Sequence, residues 1–519
     1  MFPSWLCDSG DWTSLFLFGF SIFLLIIIWN LEKWCYFSKR NVKFIRGWPL
    51  IGSLHEFFVG NKSFYDVILK LYRQFPDEPF FGIYELTHPV YIIRDPDLIK
   101  QITVHDFNHF SNHQGNFDVT IDPLIGRSLF FLKNQQWKEM RSVLSPAFTG
   151  NKLRLMFELI QNTTIDFMKS LNDIEDNRNG FEIEQKDLLS RYATNVIATS
   201  AFGLKVDAIT ERENEFFLAG KEITNFEGIQ GIKLLALDVF PQIMKWLGIE
   251  FLNRKTCDYF RNVVNTAIGY RDKNNIYRPD MIHLLMKARK GDIDTTVASN
   301  KTNWIDDDIV AQCLIFFFGG SETMSTLLSF MGHELACNQH IQQQLYEQIV
   351  EIEKNLNGAP ITYELINDFK YMDMIVSETL RLFPPIPSSD REITKPYVLK
   401  GKNGINVPLT INDNIWIPIN GLHLDAKYWP DPERFDPERF NDENRKNIKA
   451  GTFMPFGLGQ RSCIASRFAL MVAKTVYYFL LREYRIEMCD KTPDPIVLVP
   501  NSINVHAKDG LWVRFQRRN

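Results

Sequence analysis

The sequence predicts a mainly α-helical protein with small β-sheets, built as one large domain behind an apolar N-terminal segment. Three observations carry that reading. Helical periodicity dominates the 519 residues. Two runs of β-branched and aromatic residues flank turn-forming triplets, the pattern of short strands. No linker composition, internal repeat or low-complexity tract divides the chain.

Composition sets the outer limits. The chain is 45% hydrophobic and 23% charged, the balance of a globular protein, and its 42 phenylalanines are enough for a large dry interior. A formal charge of -4 argues against nucleic acid as a partner, because phosphate binding needs a clustered basic excess. Seven cysteines, Cys7, Cys35, Cys257, Cys313, Cys337, Cys463 and Cys489, are odd in number and scattered, with no C-x-x-C pair. That usage suits a reducing, cytosol-facing compartment.

From Trp12 to Leu31 the chain carries no charge, about the length of a helix that crosses a hydrocarbon core. Asp8 and Asp11 precede it, and Lys33, Lys39, Arg40, Lys43 and Arg46 follow. The positive-inside rule then puts the N-terminus in the lumen and the body in the cytosol. A cleaved signal peptide is the alternative, but neither a basic n-region nor a small-x-small cleavage site is present. Two parts are expected: residues 1–46 as lumenal terminus, single transmembrane anchor and basic flank, and residues 47–519 as the cytosolic domain.

After the turn-rich "GWPLIGSLHEFF", the run "PFFGIYELTHPVYIIRDP" predicts a hairpin around Thr87-His88-Pro89. "PLTINDNIWIPI" repeats the pattern around Asn412-Asp413-Asn414. The longest helix is expected from Asp306-Asp307-Asp308, whose charges suit a helix N-terminus, to about Ala336. Gly319-Gly320 in its middle costs about 1 kcal/mol per glycine relative to alanine. Close packing on a neighbour explains such a pair, and so does a groove that admits a flat ligand or small molecule. Glu322 and Thr323 follow at once. "HELAC" at His333 begins like a zinc-protease motif but ends in Cys337, and "GNKS" at Gly60 lacks the upstream glycine of a phosphate loop.

In "FMPFGLGQRSCIAS", Phe453 to Ser466, the glycines Gly457 and Gly459 allow tight turns, and the apolar spacing from Ile464 onward predicts a buried helix. Cys463 therefore lies at a helix N-terminus, where free N–H groups and the dipole favour an anionic sulfur. An isolated cysteine is usually an inert small hydrophobe, which is how Cys257, Cys313, Cys337 and Cys489 are read. A nucleophile would want a histidine base, and none is near in sequence. A lone thiolate with no other ligand cluster points to a metal held by a macrocycle, that is, haem iron.

"FGLGQRSC" resembles the haem-binding loop of the cytochrome P450 family, F-G-x-G-x-R-x-C-x-G, except that Ala465 stands at the last position. Other motifs of the family follow in order. "ETLR", Glu378 to Arg381, resembles E-x-x-R, and its i,i+3 spacing lets carboxylate and guanidinium pair. "FDPERF" supplies Arg439, which resembles the third member of the Glu-Arg-Arg brace behind the haem loop. "WKEMR" resembles W-x-x-x-R, with Trp137 and Arg141 one helical turn apart. "GGSET" resembles the oxygen-groove motif, with Gly320, Glu322 and Thr323 in its places.

The resemblance spans essentially the whole chain and implies the cytochrome P450 fold, a single haem domain. It implies haem b, with O2 and NADPH-derived electrons as co-substrates. Cys463 would be the axial ligand of the haem iron, and Trp137, Arg141, Arg461 and, by spacing alone, Arg391 would meet the propionates. Phe456 would pack near the sulfur, with Gly457 and Ala465 in the same loop. Thr323, with Glu322 behind it, would deliver protons. It also implies insertion of one oxygen atom into a lipophilic small molecule, with NADPH–cytochrome P450 reductase as donor and cytochrome b5 as an optional second one. Endoplasmic reticulum membrane is the expected location. Overall texture is most similar to insect microsomal members that process toxins and plant compounds. Three alternatives stay open: a reductase-independent isomerase or peroxide-rearranging relative, an endogenous hormone or lipid hydroxylase, and a haem protein that only binds lipids. Phe117 to Phe130, Phe316 to Phe318 and Pro385 to Pro387 are expected to line the pocket, and "ALDVFPQIMKWLGI" to be a membrane-dipping lid or a core segment. Lys138, Arg467 and Lys474 are expected either to form a basic docking face or merely to be solvated.

Overall fold

The computed structural model describes residues 35–519 except 50, 116, 118, 175–179, 226–229, 231–232, 234–236, 238–240, 279, 291–303, 402–403 and 519. Of the N-terminal segment it describes 14, 16–21 and 24, all helical, and Phe16, Leu17, Phe18 and Phe20 there are exposed. The rest of the expected anchor, and Cys7, lie outside the described residues.

Strands β1 (Phe80–Glu85) and β2 (His88–Ile93) are apolar at almost every position because both faces of their sheet are buried. Phe80, Tyr84, Tyr91 and Ile93 enter one core cluster. Phe81, Ile83, Val90 and Ile92, displaced by one residue, enter another. The two strands form the expected hairpin, but Glu85 pairs with His88 and Tyr84 with Pro89. Its turn is therefore Leu86-Thr87, with Leu86 at φ 54°, one residue ahead of the predicted triplet. Gly82 is needed because a Cβ there would sit 2.5 Å from the ring of Phe37. Residues 36–45, the basic flank in sequence, thus pack on this sheet: Phe37 is fully buried, and Gly82 N–H donates to Lys43 O at 2.8 Å.

The second predicted hairpin does not form. Strand β6 (Asn406–Leu409) pairs with β5 (Tyr397–Lys400). Beyond the turn at Asn412, β7 (Asn414–Pro418) joins the first sheet, parallel to β2 and antiparallel to β4 (Ser388–Glu392). The local pattern specified two strands and a turn, but the apolar residues Ile415, Trp416 and Ile417 are drawn to the larger sheet. The order there is β1-β2-β7-β4, and a third sheet orders β3 (Phe181–Glu184), β9 (Trp512–Arg517) and β8 (Tyr484–Glu487).

Helices make up the rest, around one large apolar cluster. The central helix, Asp306–Cys337, matches the predicted span to within a residue and stays unbroken through Gly319-Gly320. Among the described residues it is the one helix long and apolar enough to cross a membrane, yet most of that stretch is buried inside the domain. Its acidic start is also paired in space: Asp307 takes two bonds from Arg261, at 2.9 and 3.1 Å, and Asp308 one from Arg127 at 3.0 Å. It packs along the helix Gln185–Ile197. The six described cysteines are free.

Candidate active site

The Cys463 loop is shaped by two glycines at φ +74° (Gly457) and +78° (Gly459), a conformation that L side chains rarely adopt. A Cβ on Gly459 would also overlap the carbonyl of Thr103. Cys463 N–H donates to Phe456 O at 2.8 Å, which closes the loop. The following helix starts at Ser466, two residues later than the pattern indicated, with Ala465 at its N-cap. Ala465 has φ −102°, which alanine adopts freely, so the departure from glycine creates no backbone strain.

Cys463 has exposed surface although protein surrounds its sulfur, so that surface faces an interior space. Burial pushes its thiol above the ordinary value, while the Ala465 N–H and the Arg141 guanidinium pull the other way. The expectation of a thiol lowered by the helix terminus is thus not met by protein groups alone: burial wins. A coordinating metal would deprotonate it outright.

Beside the loop stand three guanidiniums. Arg461, on the loop itself, donates to Ser111 O (2.9 Å), Phe130 O (3.3 Å) and Leu132 O (2.9 Å), and lies 4.0 Å over the Trp137 ring. Trp137 is buried, and Arg141 follows one turn later on the helix Asn134–Leu144. Arg391 comes from β4 and is fully buried. Burial first, then Arg391 and Arg141, push the Arg461 pKa down to about 9. Sequence reasoning missed the one acid among them. Asp390 accepts from His113 Nδ1 at 2.9 Å, and His113 stacks on Phe130 at 4.5 Å. Burial holds His113 below the ordinary imidazole value, so it is the neutral donor to an ionised Asp390. Asp390 acts on Arg391 and Arg461, whereas the charged neighbour of Arg141 is Cys463, so the cluster carries a net positive charge beside the sulfur. The Nε–H of Arg391 is buried without an acceptor among the described residues.

Glu378, Arg381 and Arg439 come together. Arg381 grips Glu378 with two bonds, at 2.7 and 2.8 Å, both side chains being fully buried. Arg439 reaches the same carboxylate at 3.3 Å, and Asp436 N–H at 2.9 Å. Arg381 also donates to the carbonyls of His423, Pro432 and Arg434. His423, another residue missed in sequence, connects brace to loop. Its ring lies 3.2 Å from Arg381 O through Nδ1, and its Nε2 accepts from Met454 N–H at 3.0 Å. Acceptance at Nε2 requires a neutral ring with its proton on Nδ1, and burial together with Arg381 lowers its pKa to about 3.

On the central helix the two glycines separate in role. A Cβ on Gly320 would lie 2.5 Å from Ile197, so this glycine serves close helix packing. Gly319 has nothing within 4 Å and is exposed on an otherwise buried helix. The open face thus lies at Gly319, and Gly320, expected in the cofactor groove, packs against Ile197. The Thr323 hydroxyl donates to Gly319 O. Glu322 faces elsewhere: its Oε1 is 2.8 Å from Lys186 Nζ and 2.6 Å from His506 Nε2. Neighbouring residues on a helix point about 100° apart, so acid and alcohol are adjacent in sequence without being bonded to each other.

Two further expectations change. Phe317 is buried against Phe202, Phe216 and Phe260, so only Phe316 and Phe318 of that triplet remain partly open. Lys474 is buried and bonded to Asp373 and Asn367 O, which removes it from any docking face, whereas Lys138 and Arg467 are exposed. The decoy histidine His333 lies 3.6 Å from Cys337 Sγ, and no group of three metal-ligating side chains occurs among the described residues.

These residues fit a haem. The net positive cluster and the unpaired Arg391 donor suit the carboxylates of a haem, and the lone sulfur of Cys463 suits a thiolate ligand. The family model described as cytochrome P450 matches residues 43–512. The chain is 41% identical over 493 residues to probable cytochrome P450 9f2 of Drosophila melanogaster, covering 93% of this chain and 95% of that protein. It is 39% identical over 530 residues to cytochrome P450 9e2 of Blattella germanica, covering 97% and 98%. Cytochrome P450 6k1 of the same cockroach is 33% identical, with 93% of each chain covered. With a matched model over most of its length and such relatives, the chain belongs to the cytochrome P450 family.

Proposed function

We propose that this chain oxidises lipophilic foreign compounds at the endoplasmic reticulum membrane, with electrons from NADPH–cytochrome P450 reductase and cytochrome b5 as an optional second donor. Family membership makes it a haem monooxygenase that uses O2 and reductase-derived electrons. The haem supplies O2 activation, and a thiolate ligand pushes electron density that favours O–O cleavage. The observation that carries the site assignment is the guanidinium cluster beside Cys463. Arg461, Arg391 and Arg141 hold the propionates, Trp137 orients Arg461 by stacking, and Cys463 ligates the iron. Phe456 and Gly457 shape the loop around the sulfur, and the Glu378-Arg381-Arg439 brace fixes it. Thr323, whose hydroxyl reaches Gly319 O, delivers protons at the open face there, with Glu322 as the acid beside it in sequence.

Aromatic pairs in the segments expected to line the substrate site support the lipophilic substrate class. Phe117 and Phe131 lie 4.4 Å apart, and Phe148 and Phe316 5.5 Å apart. Membrane contact is supported by the helix Pro241–Leu247, where Ile243, Trp246 and Leu247 are exposed, Trp246 by 83%. A core segment would not leave them so. The anchor reading of Trp12 to Leu31 rests on its length and flanking charges. Lys138 and Arg467 remain candidates for docking the reductase. Charge reversal at both should flatten the salt dependence of reduction, and an unchanged dependence removes them.

One experiment tests the whole reading. The reduced, CO-bound protein should give the thiolate-type spectrum and Cys463→Ala should lose it. With reductase, NADPH consumption should then rise with members of a lipophilic substrate panel. Persistence of the spectrum in Cys463→Ala overturns the ligand assignment. Rapid peroxide turnover without reductase-driven turnover favours the isomerase-like alternative.

A further inference from the structure

The helix that follows the Cys463 loop, Ser466–Glu483, carries two cations on a single face. Arg467, Leu470, Met471 and Lys474 are spaced i, i+3, i+4 and i+7, so they project to the same side. That side meets the short helix Tyr363–Asn367 and the first turn of the helix Lys370–Leu382. The fit leaves a cavity of about 200 Å³, whose walls include those four residues with Tyr363, Asn367 and Asp373. Sites for drug-sized molecules run from about 300 to 1,000 Å³, so an occupant here is small. The Lys474 side chain lines the cavity although it is only 4% exposed. Burying an ammonium is costly unless its protons are bonded. It has three N–H groups; Asp373 Oδ1 lies at 2.9 Å and Asn367 O at 2.8 Å, and no third acceptor stands among the described residues. Arg467 is exposed, and among the described residues neither its guanidinium nor the Tyr363 hydroxyl has a hydrogen-bond partner. Neighbouring charges are engaged with one another, Arg154 with Glu364 and Lys370 with Asp442. The cavity wall thus holds two cations against one carboxylate.

We infer that this cavity binds a phosphate group, and that its occupant masks Arg467. Lys474 supplies a fixed point charge with one N–H to give, and Arg467 a planar fork that binds two oxygens at once. Donors on several sides suit the multiple oxygens of a tetrahedral anion. Asp373 holds Lys474 in place but opposes the anion, so it limits the affinity. Free inorganic phosphate and a phosphate monoester on a larger molecule share this chemistry. Binding is reversible and involves no covalent step. An anion on Arg467 neutralises a cation that would otherwise face the reductase. That second half rests on the proposed docking role of Arg467, whereas the site itself does not.

The test titrates inorganic phosphate into the full-length holoenzyme by calorimetry, at fixed ionic strength with chloride as the balancing anion. Wild type should show one saturable site. Arg467→Gln should weaken it about 10-fold, the loss of one charge-assisted contact. Asp373→Asn should strengthen it roughly 2- to 5-fold, because the carboxylate that opposes the anion becomes neutral at nearly constant shape. A change of opposite sign at the two positions is not what general screening of surface charge would produce. Both side chains have solvent exposure, so these variants keep the fold even if the buried Lys474→Met does not. Absence of saturable binding overturns the site, and so does an unchanged affinity in Arg467→Gln or in Asp373→Asn. Glycerol 3-phosphate, titrated in parallel, separates the sources: equal affinity assigns the site to a phosphate on a larger molecule, and exclusion assigns it to the free anion, and either supports the site. Reduction of the haem by pre-reduced reductase, followed by stopped flow at the same ionic strength, should slow as the site fills. Saturable binding with an unchanged reduction rate overturns the masking, and with it the docking role of Arg467, while the site stands.

Discussion

Arg461→Gln removes a guanidinium whose environment is costly in one state and favourable in another. In the polypeptide alone, burial and the neighbouring Arg391 and Arg141 lower its pKa from 12.5 to about 9, which corresponds to a cost on the order of 5 kcal/mol. Against that stand three hydrogen bonds to the carbonyls of Ser111, Phe130 and Leu132, each contributing roughly 1.5–3 kcal/mol when the donor is charged. The bonds together contribute roughly 4.5–9 kcal/mol against that cost, so the substitution should lower the stability of the haem-free protein by at most about 4 kcal/mol. With a propionate in place the like-charge repulsion is relieved and a charge-assisted bond is gained. Loss of that bond, roughly 1.5–3 kcal/mol, should raise the rate of haem loss about 10- to 150-fold. Transfer of haem to excess apomyoglobin gives the rate, and urea unfolding of the haem-depleted protein gives the stability. An unchanged transfer rate refutes the propionate assignment.

The other predictions follow from the same geometry. Thr323→Ala should keep haem but divert reducing equivalents to peroxide, measured as peroxide released per NADPH, and unchanged coupling counts against the hydroxyl. Gly320→Ala should lower thermal stability by about 1–3 kcal/mol through overlap with Ile197, whereas Gly319→Ala should be neutral or gain up to about 1 kcal/mol. Equal effects would mean that the two glycines do not differ in environment. His423, with its pKa lowered from 6.5 to about 3, makes the unfolded chain bind more protons below pH 6.5. Stability should therefore fall as pH falls from 6.5 toward 3, by up to about 1.4 kcal/mol per unit, and His423→Gln should flatten that slope in urea titrations. Ala465→Gly should leave haem retention intact, since Ala465 sits at a negative φ.

The family motifs were legible because each is local. Gly457, Gly459 and Cys463 lie within seven residues, and their backbone and charge requirements act over that span. Pairing of Glu378 with Arg381 followed from i,i+3 helical spacing, and both helix faces and strand faces follow from side-chain period. His113, Asp390, His423 and His506 were not legible. Each meets its partner across tens to hundreds of residues, and none sits in a pattern that marks it.

By itself the sequence determined that the chain is mainly helical with short strands, which loop presents a sulfur, and, through the family resemblance, which arginines are assigned to it. Tertiary structure decided what each exposed face of those elements meets. It sent β7 to the larger sheet instead of back onto β6, and set Gly320 against Ile197 while leaving Gly319 open. It also buried Lys474 beside Asp373 and turned Glu322 toward Lys186 and His506, away from Thr323. The physical reason is that backbone periodicity fixes the direction in which a side chain leaves its own element. The neighbour it reaches depends on how the whole chain packs to bury its apolar surface.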